Sequence, residues 1–333
     1  MKWPLQQAKT YNNETEEHMG WTRVKFSRSA YLHFTRLSDQ KFVEAHWLAN
    51  QIRPLYENHD DLNHPFRVMD VGTGEGQFIA EILNKLGKLR KGKFHRFISA
   101  TLIEPDRGFN PILEKLSLQL QSSISCEILI NTSTLEAWLD RHMLERFDLI
   151  LFSHVLYYFD STTLEQVILK CLERLRPQGI ICLIVCHTDS WLAEFRNHLV
   201  KMNPAHAIHP FITHNPVLEL LSNKGISWHC SDVRSKLIYK GRLENKNASF
   251  QKEGVTIEEV LSFLVKVRAS VIRKAISQPN FNQLFDPIRL YNRIELKDAC
   301  IFIESAKSAG RTELGQWNAP SELKPEPVPY QTV

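Results

Sequence analysis

RVMDVGTGEGQFIAEILNKLG, residues 67–87, decides the fold. Its first five residues form a short apolar run, the next five carry Gly72, Gly74 and Gly76, and from Gln77 onward the apolar residues recur at helical spacing. A buried strand, a tight turn and an amphipathic helix in that order open a β-α-β unit. Closely spaced glycines let the backbone approach a ligand at the helix N-terminus. Asp70 is the acid inside the apolar run, two residues ahead of the turn.

The same alternation continues to His187. Strands are expected at RVMDV (67–71), FISATLI (97–103), CEILI (126–130), FDLILFS (147–153) and GIICLIVC (179–186), and helices at 77–87, 107–120, 133–144 and 161–176. Parallel strands with right-handed crossovers put every strand's carboxyl end on one edge, where open α/β sheets bind their ligands. Residues just after each strand are therefore the candidates for function.

Upstream, SAYLHFTRLSDQKFVEAHWLANQIRPLY (29–56) reads as one or two amphipathic helices ending near Pro54, followed by a loop at 57–66. Downstream, the expected elements are a helix at 190–201, a loop rich in Pro and His (His206, His209, His214), a strand at 226–233, a long helical pattern at 256–276 and a closing strand at 297–305. The chain thus divides into an N-terminal helical segment (1–60), an alternating α/β core (61–187), a less regular segment with closing strands (188–305) and a flexible tail (306–333) with four prolines.

The 333 residues are 43% hydrophobic, enough for one large domain or two modest ones. Against 37 acids stand 41 Lys and Arg, a net +4 that is too small for a nucleic-acid-coating surface. The basic run from Lys85 to Arg96 has no interleaved aromatics and reads as a solvated loop. The six cysteines are scattered, without a CxxC pair, which fits reduced thiols and a cytoplasmic setting. No apolar leader and no membrane span are expected. No metal site is expected either, because the histidines lack a partner cluster and Cys182 and Cys186, sharing a strand face, read as packing. Nothing in the sequence calls for more than a monomer.

A dinucleotide fingerprint needs GxGxxG with an acid about 20 residues on. Here the third glycine is early, and Glu104, the next acid to close a strand, lies 28 residues past Gly76. That argues against a nicotinamide enzyme. A carboxylate at Glu104 can accept hydrogen bonds from both hydroxyls of an adenosine ribose; an ordinary helix N-terminal acid is the alternative.

Four stretches in order resemble the class I, Rossmann-like S-adenosylmethionine-dependent methyltransferases: DVGTGEG, LIEPD, FDLILFSHVLYYF and LRPQGIICLI, the last with Gln178 in place of a glycine. The resemblance implies a mostly parallel methyltransferase sheet whose last strand is antiparallel, with N-terminal and C-terminal-half helical insertions capping the substrate. It places the cofactor, S-adenosyl-L-methionine, across Gly72, Gly74 and Gly76, with its ribose on Glu104, its adenine near Thr132 and Ser133 and its methionine end near Ser153 and His154. VLYYF, SW…EF (Trp191, Phe195), FITHNPVLELLSNKGISWHCSDV, CIFIES and SAYLHFTRLSDQ are further similar to the histamine N-methyltransferase family. That likeness implies methyl transfer to nitrogen of a small amine or N-heterocycle, with Asp39 or Gln40 standing where that family has an acid from the N-terminal helix, residues 1–60 as a lid, 61–187 as the cofactor-binding core, and residues 1–60 and 188–295 forming the acceptor pocket.

A methyltransferase of this kind holds a neutral nucleophile about 3 to 3.5 Å from the donor methyl and excludes water. His154 either orients the acceptor, takes its proton, or is simply bonded to backbone. A glutamine at the matching place in the resembled family favours orientation. Tyr157 and Tyr158 offer aromatic faces to a cation. Trp191 and Phe195, four apart, share a helix face that lines the pocket or packs the core. Tyr31 is the lid candidate. Two readings stand beside N-methylation: transfer to carbon or oxygen of a small aromatic, and a module that binds the cofactor without turnover.

Overall fold

The computed structural model describes residues 28–58, 64–89, 97–202, 205, 211–238, 256–276 and 293–305. Residues 1–27 of the lid, the basic run from residue 90 to 96, His206, His209 and the tail lie outside the described residues.

The chain opens with three helices, α1 (Arg28–Leu37), α2 (Gln40–Gln51) and α3 (Arg53–Glu57), and then alternates: β1 (Phe66–Val71), α4 (Gln77–Lys88), β2 (Ile98–Ile103), α5 (Asn110–Ser123), β3 (Cys126–Asn131), α6 (Leu135–Arg141), β4 (Phe147–Ser153), α7 (Ser161–Glu173), β5 (Leu175–Cys186). It closes with α8 (Trp191–Met202), α9 (His214–Asn223), β6 (Trp228–Ile238), α10 (Ile257–Val265), α11 (Ala269–Ile276) and β7 (Arg293–Glu304). The strands form one seven-stranded sheet in the order β3-β2-β1-β4-β5-β7-β6. The first five are parallel, and β7 runs antiparallel between β5 and β6. This is the doubly wound, Rossmann-like arrangement expected from the sequence, including the antiparallel last strand.

Burial explains why the strands read as unbroken apolar runs. β2 and β4 are buried at every position, because helices cover both faces of the sheet. On one face α2, α4 and α5 pack residues such as Leu48, Ile79, Leu83 and Leu113 against Val68, Leu149 and Ile184. On the other, α6 to α11 pack Trp138, Phe195, Val260 and Ile272 against Met69, Phe152 and Leu183. The strand order reverses at β1, whose neighbours are β2 on one side and β4 on the other. Such a switch point opens a crevice at the carboxyl edge, and the glycine turn sits there.

Several local details differ from the sequence reading. Pro54 does not end the second helix: the chain breaks at Ile52, and Pro54 sits in the first turn of α3, where its missing N–H costs nothing. β5 begins four residues early, at Leu175, and Gln178 takes a left-handed φ of 68°. The next residue must be glycine, since a Cβ on Gly179 would lie 2.8 Å from the Phe147 carbonyl oxygen. The helical pattern at 256–276 is two helices, broken at Lys266 with φ 54°. Cys182 and Cys186 fall in different core layers, because Cys186 ends β5 and turns toward Ser190, its Sγ 2.7 Å from the Ser190 Oγ.

Candidate active site

The glycine turn extends the sheet before it leaves it. Gly72 and Thr73 donate backbone N–H bonds to the Ile103 carbonyl at 2.8 and 3.2 Å, so the turn is pinned to the end of β2. Gly72, Gly74 and Gly76 have φ of 67°, 60° and 80°, the region only glycine enters without strain. Each also lacks room for a side chain: a Cβ would meet Val155 Cγ2 at 2.5 Å from Gly72, the Tyr31 hydroxyl at 2.8 Å from Gly74 and Leu116 Cδ2 at 2.4 Å from Gly76. Gly76 then caps α4, whose unpaired N–H groups point toward the turn.

Glu104, at the exit of β2, is buried and binds the turn itself. Its Oε2 accepts the Gly74 N–H at 2.7 Å and its Oε1 accepts the Asp106 N–H at 2.9 Å. An ionised carboxylate has lone pairs beyond these two, so it can still accept from a ligand's hydroxyls. Thr132 and Ser133 follow β3 on the same edge, partly exposed, with Asn131 Oδ1 accepting from both the Ser133 N–H (2.9 Å) and its hydroxyl (2.6 Å). Asp70 lies inside β1, and burial pushes its carboxyl up to about 7. Ser153 closes β4, and its buried Oγ has no hydrogen-bond partner. An orphaned hydroxyl beside a glycine cradle and a carboxylate fits a polar ligand in the crevice, as an adenosyl donor requires.

His154 takes a left-handed φ of 55° immediately after β4, held by its N–H bond to the Ile184 carbonyl at 2.9 Å. The turn throws its ring toward α2 and β7. His154 Nε2 lies 2.8 Å from Glu44 Oε1, and Nδ1 lies 3.3 Å from the Tyr157 hydroxyl. That hydroxyl already accepts the Cys186 N–H at 3.0 Å, so its own hydrogen goes to Nδ1. The neutral imidazole therefore carries its proton on Nε2 and donates to Glu44. Burial holds His154 down near 4, so it is neutral at physiological pH.

Two acids complete the constellation. Glu44 is fully buried, and its carboxyl is hydrogen-bonded to that of Asp298. Asp298, 2% exposed on β7, accepts from Gln40 Nε2 at 2.7 Å. Burial raises each carboxyl to about 8, and the charge of Glu44 adds to the rise at Asp298. One atom each from Glu44, His154 and Asp298 lie within 4.8 Å of one another, a spacing that a divalent cation could also use. An aromatic cluster adjoins them through Tyr157. Lys266 Nζ stands 4.3 Å from the centre of the Phe263 ring, 5.3 Å from Tyr158 and 5.6 Å from Tyr157.

The structure brings together Gly72, Gly74, Gly76, Glu104, Ser153, His154, Tyr157 and Tyr31. The Tyr31 ring packs edge-on against Phe109 and Phe263, and its hydroxyl lies over Gly74. Asp39 goes elsewhere: its Oδ1 accepts the Lys236 N–H at 2.6 Å and its own N–H reaches the Lys236 carbonyl, which clips α2 to the outer strand β6. Phe195 is fully buried in the core, stacked on the half-buried Trp191 at 4.9 Å. His214 stacks on His187 and accepts the Thr188 N–H, away from the glycine turn. Sequence reading missed Glu44, Asp298 and Lys266. Glu44 stands four residues from both Gln40 and Leu48, an acid on the buried stripe of α2, and Asp298 shares the strand face of Cys300 and Phe302.

No protein-family model matches the chain, and no curated protein matches it. Solved structures do overlap it: a SAM-dependent methyltransferase from Archaeoglobus fulgidus (14% identity, 82% of this chain and 99% of that one, TM-score 0.41), an O-methyltransferase family protein from Burkholderia thailandensis (13%, 63% and 60%, 0.40) and a SAM-dependent methyltransferase from Leishmania major (16%, 58% and 65%, 0.38). Nothing in these likenesses points to histamine N-methyltransferase. The fold is a Rossmann-like methyltransferase sheet, a statement that rests on the strand order, the antiparallel β7 and the glycine turn at the switch point.

Proposed function

We propose that this chain is a S-adenosylmethionine-dependent methyltransferase acting on nitrogen of a small amine or N-heterocycle. The observation that carries the acceptor is the buried Glu44–His154–Asp298 constellation next to Ser153 and the glycine turn. Two carboxyls in an apolar shell lose most of their solvation, and a cationic or hydrogen-donating nitrogen is the ligand that restores it. A phenol or carboxylic acid would bring a third acidic group to the same place. The resemblance of VLYYF and CIFIES to histamine N-methyltransferase agrees with a nitrogen acceptor.

The residues that would hold the donor are Gly72, Gly74 and Gly76 along its length, Glu104 at the ribose, Thr132 and Ser133 at the adenine and Ser153 at the methionine end. When bound, that donor supplies a methyl group already activated by sulfonium. What remains for this chain is positioning. Tyr31 covers the turn and excludes water, and Tyr157 and Tyr158 wall the acceptor. His154, its two ring nitrogens engaged by the Tyr157 hydroxyl and Glu44, holds the Glu44 carboxyl in place beside the acceptor nitrogen. The Glu44–Asp298 pair, hydrogen-bonded carboxyl to carboxyl, receives the proton the acceptor must shed before attack when one of its two acids is ionised. The scattered, mostly buried thiols support a reducing, cytoplasmic setting.

Titration calorimetry with S-adenosylhomocysteine tests the donor site. Micromolar binding by the wild type and its loss in Gly74→Arg are expected; no heat from the wild type would sink the reading. Incubation with donor and a pool of amines, phenols and carboxylic acids, followed by tandem mass spectrometry, tests the acceptor. Products methylated only on oxygen or carbon remove the nitrogen assignment.

A further inference from the structure

The first turn of α2 departs from two local rules at one residue. The helix turns Gln40, Lys41, Glu44, Ala45, Leu48 and Ala49 inward, so a polar turn precedes the apolar part of its buried stripe. Gln40 is bonded to Asp298 and Glu44 to His154. Lys41 is 8% exposed, and among the described residues it makes no hydrogen bond and no ion pair. Its ammonium instead overlies the Phe78 ring, 5.7 Å from the ring centre. Burying an ammonium costs free energy that a partner must offset, and a cation in a helix's first turn also opposes the positive end of the dipole. Both costs fall when an anion arrives.

The place of Lys41 says which anion. Phe78 is the second residue of α4, two past the capping Gly76, and no side chain caps that helix. The charge of Lys41 is felt at Asp70 in β1, at Glu75 in the glycine turn, at Glu44 on its own helix and at His154 after β4. Its ammonium therefore stands where the glycine turn, the start of α4 and the exit of β4 converge. Burial holds the three acids that face it upward, Glu44 to about 8 and Asp70 to about 7, so near neutral pH they compensate it incompletely. Two other cationic side chains, Arg174 and Lys266, are buried among the described residues. Arg174 adjoins the amino end of β5 and donates to the Leu139 carbonyl at 3.4 Å, and Lys266 lies over the rings of Phe263, Tyr158 and Tyr157. Lys41 is the one beside the glycine turn.

Building on the donor-site reading, we infer that Lys41 anchors the α-carboxylate of the donor's methionine end. That carboxylate is the donor's single anionic group, and the glycine turn, Glu104, Thr132, Ser133 and Ser153 supply no cation for it. The lysine and the uncapped start of α4 both present positive charge there, and an ammonium–carboxylate pair is a strong, charge-assisted contact. One turn of α2 then serves both halves of the site. Lys41 holds the donor, while Gln40 and Glu44 hold Asp298 and His154.

Titration calorimetry with two probes tests this: S-adenosylhomocysteine, and its decarboxylated analogue, which keeps the adenosine and the ammonium and lacks the carboxylate. The wild type is expected to favour S-adenosylhomocysteine tenfold or more. Lys41→Met should bring the ratio close to one by weakening S-adenosylhomocysteine, with the analogue binding as before or tighter, and Lys41→Arg should keep the preference. Circular dichroism melts establish that the variants fold, and Lys41→Gln takes the place of a methionine variant that does not. Equal affinities in the wild type overturn the inference and leave the adenosyl site standing. A preference that survives removal of the ammonium also overturns it, as does equal weakening of both probes in a folded variant, which marks Lys41 as structural. Binding of neither probe to the wild type brings down the methyltransferase reading itself.

Discussion

Replacing Glu44 with glutamine removes one ionisable group and keeps the side chain's shape. In the folded protein burial raises this carboxyl from its ordinary 4.5 to about 8, whereas in the unfolded chain it titrates normally. The sign follows from linkage. A group whose folded pKa is raised gives its full share of stability below the unfolded value and loses it as pH climbs to the folded value. Between those limits the folded state holds a proton that the unfolded state has shed, so stability falls by about 1.4 kcal/mol per pH unit for one such group. From pH 5 to pH 7 the loss is on the order of 3 kcal/mol, an upper figure because the chain around a buried acid relaxes. Removing Glu44 also relieves Asp298 of a like-charged neighbour, which shifts the slope in the same direction. The assay is urea unfolding followed by circular dichroism at half-unit steps from pH 5 to 7.5 on both proteins. Glu44→Gln minus wild type should rise by roughly 1 kcal/mol per unit across that window. Other titrating groups, His154 and Asp70 among them, largely cancel in the difference. A difference that stays flat means that Glu44 is ionised in the folded protein at pH 5, and the argument from burial fails.

Two further substitutions address neighbouring parts of the same edge. Gly72→Ala combines a left-handed φ of 67° with a Cβ 2.5 Å from Val155 Cγ2, so a loss of about 2 to 5 kcal/mol in urea unfolding is expected, and Val155→Ala in the same chain should recover the packing share but not the backbone share. Full recovery in that double variant would show that the backbone at residue 72 carries no strain. Tyr157→Phe strips the hydroxyl that joins the Cys186 N–H to His154, leaving a buried N–H unpaired at a cost of about 1 to 3 kcal/mol. Long-range proton–nitrogen NMR should report His154 protonated on Nε2 in the wild type and a mixture of tautomers in the variant; an unchanged spectrum would refute the assigned hydrogen-bond direction.

The sheet was legible because its signals are local. Full burial makes β2 and β4 continuous apolar runs, the α4 stripe of Phe78, Ile79, Ile82, Leu83 and Leu86 has helical spacing, and Gly72, Gly74 and Gly76 are forced by φ and by close neighbours. The donor half of the site follows from the same turn, since Glu104 and Ser153 each end a strand beside it. The proposed acceptor half was not legible, because it is assembled from residues 44, 154 and 298, which only the tertiary fold brings together. Asp39 was the visible acid on the N-terminal helices, at a helix start where acids are ordinary, and the fold uses it to fasten α2 to β6. Glu44 hid in plain view as one polar residue on a buried stripe. Lys266 gave no breaker signal at all, since lysine is a good helix former and nothing in TIEEVLSFLVKVRASVIRKAI contains Gly or Pro.

The departures from local rules are not scattered through the described residues. His154 and Lys266 hold left-handed backbone without being glycine, and Glu44 and Asp298 are acids on apolar faces. All four converge on the carboxyl edge of the sheet, within reach of Tyr157 or His154. Gln178, the remaining left-handed residue that is not glycine, has a structural account: it lets Gly179 run against the Phe147 carbonyl at the start of β5. Buried carboxyls that stay protonated and a buried ammonium that is partly neutral weaken a fold at neutral pH, so packing alone would favour their replacement by apolar residues. Where sequence and structure disagree with local preference at several points and those points touch, the pattern is the one a ligand site produces, and it is part of what supports the proposed acceptor site.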